Sequence, residues 1–271
     1  MAGGSETTKS KDSETKRVAL VTGAGSGIGR ATALTLAREG VIVGALGHTE
    51  EDIQILCAEI RDEGHQALAL IADTTDSEAM KEAVRCLLHE TGRIDIVVAN
   101  AGINGVWAPI DDIQPDEWDK TIAVNLKGTY LTLHHTVPHL KTGGGGAIVL
   151  VSSINGTRTF TSPGATAYSA TKAAQAAMSQ QLALELGKHR IRVNAVCPGK
   201  IATEIQDNTE NRHTEETLIP VDWPEGDIPL TGGKAGTAEE VADVIAFLAC
   251  DKARHVTGTL VFVDGGQSLL R

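Results

Sequence analysis

Apolar residues gather into seven short runs, at 18–21, 41–46, 67–71, 94–99, 147–151, 191–196 and 259–263. The runs are rich in Val, Ile, Leu and Ala and show little polar alternation, which marks strands covered on both faces. Between them lie stretches with helical patterning, near 28–39, 50–63, 77–91, 115–140, 166–188 and 238–250. Strand and helix alternate with no composition shift and no internal repeat. The pattern predicts one α/β domain over residues 17–271, a doubly wound, Rossmann-type fold with a seven-stranded parallel sheet. Its ligand crevice is expected at the C-terminal ends of the strands. Residues 200–236 alone lack a clear period. They carry Pro220, Pro224, Pro229 and glycines at 232, 233 and 236. Such a segment reads as a lid, with a surface insertion as the alternative. Residues 1–16 are rich in Ser, Thr, Lys and Glu without an apolar centre, and are expected to form a disordered tail, not a signal peptide.

Composition narrows the function classes. A chain of 271 residues with 41% hydrophobic residues suffices for one large core, and 29 glycines with 3% aromatics suit short turns in a tightly wound sheet. The net charge of −11 offers no basic stripe for nucleic acid, and argues more weakly against an acidic protein partner. No apolar run reaches membrane-spanning length. Cys57, Cys86, Cys197 and Cys250 are widely spaced, so they read as core thiols of a reducing, cytoplasmic setting. His134, His135 and His139 have Pro138 among them and no carboxylate at ligand spacing, so no metal site is expected. Trp107, Phe160 and Trp223 either shape a substrate pocket or simply pack loops.

The first strand runs into Thr22-Gly23-Ala24-Gly25-Ser26-Gly27-Ile28-Gly29, and a helical stretch follows. Strand, glycine turn and helix together present backbone N–H groups to a phosphate, and glycine allows both positive φ and close approach. Farther on, Tyr168 and Lys172 stand four residues apart, on one face of a helix. A nearby ammonium favours phenolate, which would suit Tyr168 to proton transfer near neutral pH.

Together these motifs resemble the short-chain dehydrogenases/reductases. The resemblance spans about residues 17 to 268. It rests on the glycine turn, Asp73, Ala99-Asn100-Ala101-Gly102, Val124-Asn125-Leu126, Ser152-Ser153, Tyr168 to Lys172, Asn194 to Gly199 with Thr203, and Val263-Asp264-Gly265-Gly266. It implies an NAD(P)-dependent oxidoreductase moving a hydride between nicotinamide and a carbonyl or secondary alcohol. By resemblance Tyr168 is the acid/base, and Ser153 binds the substrate oxygen. Lys172 also holds the nicotinamide ribose, and Asn125 shapes a helix and holds a relay water. Gly23, Ser26, Ile28 and Gly29 fall to the pyrophosphate and ribose side, with Asp73 and Thr74 at the adenine. Asn100 and Gly102 line the channel, and Pro198, Gly199, Ile201 and Thr203 meet the nicotinamide amide. The family also implies a homotetramer and a small-molecule substrate.

Two departures stand out. Ser153 precedes Tyr168 by fifteen residues where the family usually has thirteen, which assigns the extra two to the loop 157–164 and leaves Ser152 as a substitute. Ala99 stands where the family often has Asn. The second strand ends at Gly47, His48 and Thr49, with no carboxylate at the position that usually receives the adenosine ribose. His48 suits a phosphate, so NADP(H) is expected to be slightly preferred, with NAD(H) usable. A 3-oxoacyl thioester reductase and a dinucleotide-sensing module without turnover are the alternatives. A Rossmann-like methyltransferase is disfavoured by the Tyr168–Lys172 spacing.

Overall fold

The computed structural model describes residues 16–270, apart from 204, 206–208 and 222. The tail expected at 1–16 thus lies, Lys16 excepted, outside the described residues.

The chain runs β1 (Val18–Thr22), α1 (Gly27–Arg38), β2 (Ile42–Gly47), α2 (Glu50–Asp62), β3 (Ala67–Ile71), α3 (Ser77–Thr91) and β4 (Ile96–Ala99). It continues through β5 (Val106–Trp107), α4 (Pro115–Ile122), a π-helical turn at Ala123–Lys127, α5 (Gly128–Thr142) and β6 (Gly146–Val151). The remainder is α6 (Thr166–Gly187), β7 (Ile191–Pro198), β8 (Glu210–Asn211), α7 (Ala238–Ala249) and β9 (Leu260–Val263). All seven expected runs become strands of one parallel sheet, ordered β3-β2-β1-β4-β6-β7-β9. Beyond that sheet, β5 and β8 form a two-residue parallel pair.

Side chains along β1 alternate between two cores. Ala19 and Val21 pack with Ala33, Leu36, Ile53, Leu56, Val241 and Ile245 of α1, α2 and α7. Val18 and Leu20 pack with Met80, Leu87, Leu131, Leu140 and Leu186 of α3, α5 and α6. This period of two, apolar on both faces, is why the strands read as unbroken hydrophobic runs. Successive strands spread one way from β1 and then resume on its other side at β4. The C-terminal ends of β1 and β4 therefore flank the crevice where the winding direction reverses.

Helix ends follow local chemistry. The Asp76 carboxylate accepts from the N–H groups of Glu78 and Ala79, and α3 stops at Gly92 with φ 73°. Thr237 and Glu240 cap α7 reciprocally.

The structure corrects several expectations. The helix expected over 115–140 is interrupted by the wider π turn at Ala123–Lys127. Cys57 and Cys197 are buried, but Cys86 is exposed and Cys250 half-buried. Cys86 lies off the stripe of Met80, Ala83, Val84 and Leu87 that α3 turns inward. Residues 200–236 are not structureless. Ile201 bridges Gly236 at the base of the segment, and β8 pairs with β5. Arg212 then donates to the Asp112 and Glu117 carboxylates at 2.8–3.0 Å. His135 bonds the Ser77 hydroxyl at 3.2 Å. Among the described residues no His, Cys, Asp and Glu cluster is arranged to hold a metal, and no helix is long and apolar enough to cross a membrane.

Candidate active site

One cleft of about 1110 Å³ opens at the C-terminal ends of β1 and β4. Gly23, Ser26, Ile28, His48, Thr49, Asp73, Thr74, Asn100 and Gly102 line one part of it. Ser153, Tyr168, Lys172, Pro198, Gly199, Ile201 and Thr203 line the rest. Of the residues expected to be catalytic or to bind the cofactor, Gly29 and Asn125 alone are absent from its lining.

The glycine turn is tied to the strand beside it. Gly23 and Gly27 have φ of 64° and 49°, a region that penalises a Cβ. A Cβ on Gly29 would fall 2.1 Å from the Gly23 carbonyl oxygen, so the turn closes only without one. The Thr22 hydroxyl accepts from the N–H groups of Asn100 and Ala101, and Asn100 Nδ2 donates to the Thr22 and Gly23 carbonyls. Asn100 thus fastens the turn as well as lining the cleft. Ser26 caps α1 with its backbone alone, since its side chain bonds none of the first-turn N–H groups. These features suit a pyrophosphate: a helix N-terminus, a cradle that a Cβ would fill, and room beside it. Asp73 accepts from the N–H and hydroxyl of Thr75, which fixes a turn at the far end of the cleft.

Tyr168, Lys172 and the two serines meet at the other end. Ser152 is committed to structure, its hydroxyl donating to the Lys172 carbonyl at 2.7 Å. Ser153, whose hydroxyl accepts from the Asn155 N–H, lines the cleft together with Tyr168. The geometry therefore distinguishes the two serines, and the fifteen-residue spacing leaves Ser153 at Tyr168. Lys172 is 4% exposed; its Nζ donates to the Val151 carbonyl at 2.8 Å and lies 5.5 Å from the centre of the Tyr168 ring.

The electrostatics differ from the sequence expectation. Burial pushes the Tyr168 phenol above its ordinary value, and the Ser153 hydrogen bond pulls it partly back. Burial also lowers the Lys172 ammonium from 10.5 to about 8. Desolvation, not the ammonium, dominates the phenol in this arrangement.

Asn125 sits in the π turn, fully buried. Its side chain accepts from the Ile103 N–H and donates to the Ile103 carbonyl and the Thr171 hydroxyl. Turns of this kind recur at functional sites. Its backbone carbonyl accepts from Gln175 Nε2 and the Thr129 hydroxyl.

Several residues escaped the sequence reading. Asp52, in the first turn of α2, lines the cleft beside His48 and Thr49. A Cβ on Gly25 would come within 3.6 Å of an Asp52 carboxylate oxygen. Gly47 itself brings no carboxylate, but α2 brings one to the cleft lining five positions beyond it. Asn104, Asn155, Ser162, Thr209 and Asn211 line the cleft too. Of the three aromatics left open, Trp107 lines it, 6.2 Å from the Tyr168 ring, whereas Phe160 is 68% exposed. Trp223 lies outside the lining.

Residues 17–214 match the family model described as short chain dehydrogenase. The chain belongs to the short-chain dehydrogenase family. It is an oxidoreductase of the kind that moves a hydride between a nicotinamide cofactor and a hydroxyl or carbonyl carbon. A solved 3-ketoacyl-ACP reductase from Sinorhizobium meliloti 1021 is 67% identical, with a TM-score of 0.92 over 94% of this chain and 100% of that one. The 3-oxoacyl-[acyl-carrier-protein] reductase of Thermotoga maritima is 38% identical over 92% of this chain and 97% of its own length. A 3-ketoacyl-(acyl-carrier-protein) reductase from Brucella melitensis, solved with NADH, is 31% identical, with a TM-score of 0.82 over 93% and 98% of the two chains.

Proposed function

We propose that Tyr168 is the general acid/base of this oxidoreductase, with Ser153 binding the substrate oxygen and Lys172 and Asn125 organising the pair. The observation that carries this reading is the meeting of Ser153, Tyr168 and Lys172 in one cleft, with the Lys172 ammonium 5.5 Å from the centre of the Tyr168 ring. A bound nicotinamide supplies or accepts the hydride. In the reducing direction the phenol gives its proton to the carbonyl oxygen; in the oxidising direction the phenolate takes one from the alcohol. Ser153 orients that oxygen. Thr171 and Ile103 hold Asn125, which keeps the π turn in register beside α6. Tyr168→Phe keeps the ring and removes the proton carrier. Turnover is expected to fall at least about 100-fold with cofactor affinity little changed. Retention of most activity would overturn the assignment.

On the cofactor, the acidic first turn of α2 supports NAD(H), against the NADP(H) lean drawn from Gly47 and His48. Glu50, Glu51 and Asp52 all stand there, and Asp52 lines the cleft. A carboxylate at this end accepts from ribose hydroxyls and repels a 2′-phosphate. The NADH bound in the Brucella relative is in keeping with this reading.

A homotetramer remains the proposed assembly. Tyr130 on α5 and Leu184 on α6 are 51% and 83% exposed, on the helices that family members pair, and β9 is an edge strand of half-buried residues. Light scattering at micromolar concentration is expected to give four chains; a stable monomer would refute it.

The acyl-carrier names of the relatives favour a second reading, reduction of a 3-oxoacyl thioester.

A further inference from the structure

The cleft that Ser153 and Tyr168 line carries a set of amides and hydroxyls beside apolar side chains such as Ile103, Ile154 and Pro163. On one side Asn155 is 8% exposed; its N–H donates to Ser153 Oγ, and its Nδ2 donates to the Ser162 hydroxyl at 2.9 Å. On the other side Asn104, also 8% exposed, donates from Nδ2 to the Thr209 hydroxyl at 2.6 Å. The Trp107 indole N–H in turn donates to the Asn104 carbonyl at 3.2 Å. Trp107 stands 6.2 Å from the Tyr168 ring and pairs through β5 with Asn211 of β8. All six of these residues line the cleft. Each side-chain amide is anchored through its Nδ2, to Ser162 or to Thr209, so its remaining polar capacity is oriented before substrate arrives.

We propose that the substrate is a small polyhydroxylated carbonyl compound or its alcohol, such as a sugar or cyclic polyol, and not an acyl chain. The inference rests on the catalytic reading above. The flat indole offers an apolar face to ring C–H groups, while Asn104 and Asn155 are placed to bond hydroxyls. An alkyl chain seated there would strip water from these groups and return no hydrogen bond. Sites built to bond a hydroxyl reject analogues lacking it by large factors, up to about 10⁴–10⁵. In the oxidising direction the carbinol carbon loses its hydride to the oxidised nicotinamide, its hydroxyl proton passes to the Tyr168 phenolate, and the carbon becomes a carbonyl. A hydride, which carries the electron pair, and one proton thereby leave the substrate, and the nicotinamide is reduced.

The test is a steady-state panel of aldoses, alditols and cyclic polyols with NAD⁺. Cyclohexanol with NAD⁺ and acetoacetyl-coenzyme A with NADH serve as the apolar and thioester comparisons. At least one polyhydroxylated compound is expected to exceed both in kcat/KM by about 100-fold or more. Asn155→Leu and Asn104→Leu, confirmed folded by retained NADH binding in fluorescence titration, are expected to raise KM for that compound at least about tenfold and to narrow its lead over cyclohexanol. Trp107→Leu provides a variant outside the amide pairs with the same expected direction. A best rate on acetoacetyl-coenzyme A or cyclohexanol overturns the substrate inference and leaves the oxidoreductase standing. So does a preference unmoved by all three variants, or no turnover of any polyhydroxylated compound by a chain that binds NADH. Failure of the unaltered chain to bind NADH would overturn the catalytic reading itself.

Discussion

Replacing Lys172 with methionine is expected to make the protein more stable at pH 7 while crippling it. Lys172 is 4% exposed, and burial lowers its ammonium from 10.5 to about 8. For a base whose folded value is depressed, the charged form is favoured in the unfolded chain. The destabilisation is therefore fully present below pH 8 and disappears as pH rises from 8 through 10.5. At 1.36 kcal/mol per unit, that depression corresponds to about 3 kcal/mol at neutral pH. Methionine removes this cost and fills a similar volume. It also leaves the Val151 carbonyl without its 2.8 Å donor, a loss of roughly 1–2 kcal/mol. The net expectation is a gain of about 1–2 kcal/mol at pH 7. The pH trend is the sharper readout, because every other titrating group is shared by the two proteins. Between pH 7 and pH 9.5 the unaltered chain recovers about 2 kcal/mol that the variant never lost, so the gap should close or reverse. Urea unfolding without cofactor at both pH values measures this. A gap that is the same at the two pH values would show that Lys172 carries no buried charge, and would remove the argument from desolvation.

Asp52→Asn is expected to tighten 2′-phosphorylated cofactor relative to NADH by roughly fivefold, since one unit charge a few ångströms away is worth about 1 kcal/mol in water. Fluorescence titration of NADPH and NADH reads this without turnover, and an unmoved ratio of Kd values would exclude Asp52 from the ribose end. Hydrogen exchange over 209–217 should slow when cofactor and substrate bind together, as the segment tied by Arg212 closes on the cleft. Arg212→Ala should speed exchange there without ligand and raise KM more than it lowers kcat; exchange indifferent to both ligand and substitution would remove the lid.

The main sheet was legible because its strands are buried on both faces and announce themselves as apolar runs bounded by turns. The two-residue strands β5 and β8 carry no such signal. Val106 and Trp107 pair with Glu210 and Asn211 through contacts about a hundred residues apart, which no local period encodes. Asp52 was missed for a related reason. The position that ordinarily supplies the ribose carboxylate is Gly47, and a Cβ there would strike Ile53 Cδ1 at 2.8 Å. That close approach of α2 to the end of β2 accompanies an acid delivered from the helix instead of the strand. Cys86, by contrast, was readable: a helical wheel through Met80, Ala83, Val84 and Leu87 already turns residue 86 outward.

What remained hidden is concentrated where local rules are broken. A lysine is buried in α6, and a π turn interrupts the helix expected over 115–140. The buried Gln175 Oε1 has no hydrogen-bond partner among the described residues. These exceptions form one connected chain. Gln175 holds the Asn125 carbonyl, Asn125 bonds Thr171, and Thr171 precedes Lys172 on the helix that carries Tyr168. Each costs stability by itself, yet they converge on a single phenol. Conflict between local preference and global fold is expected at functional sites, where geometry is held by its surroundings instead of by propensity. The sequence pattern displays the stable scaffold because stable parts obey simple periods. The proton-handling group becomes visible in space, as the place where several unfavourable choices support one another.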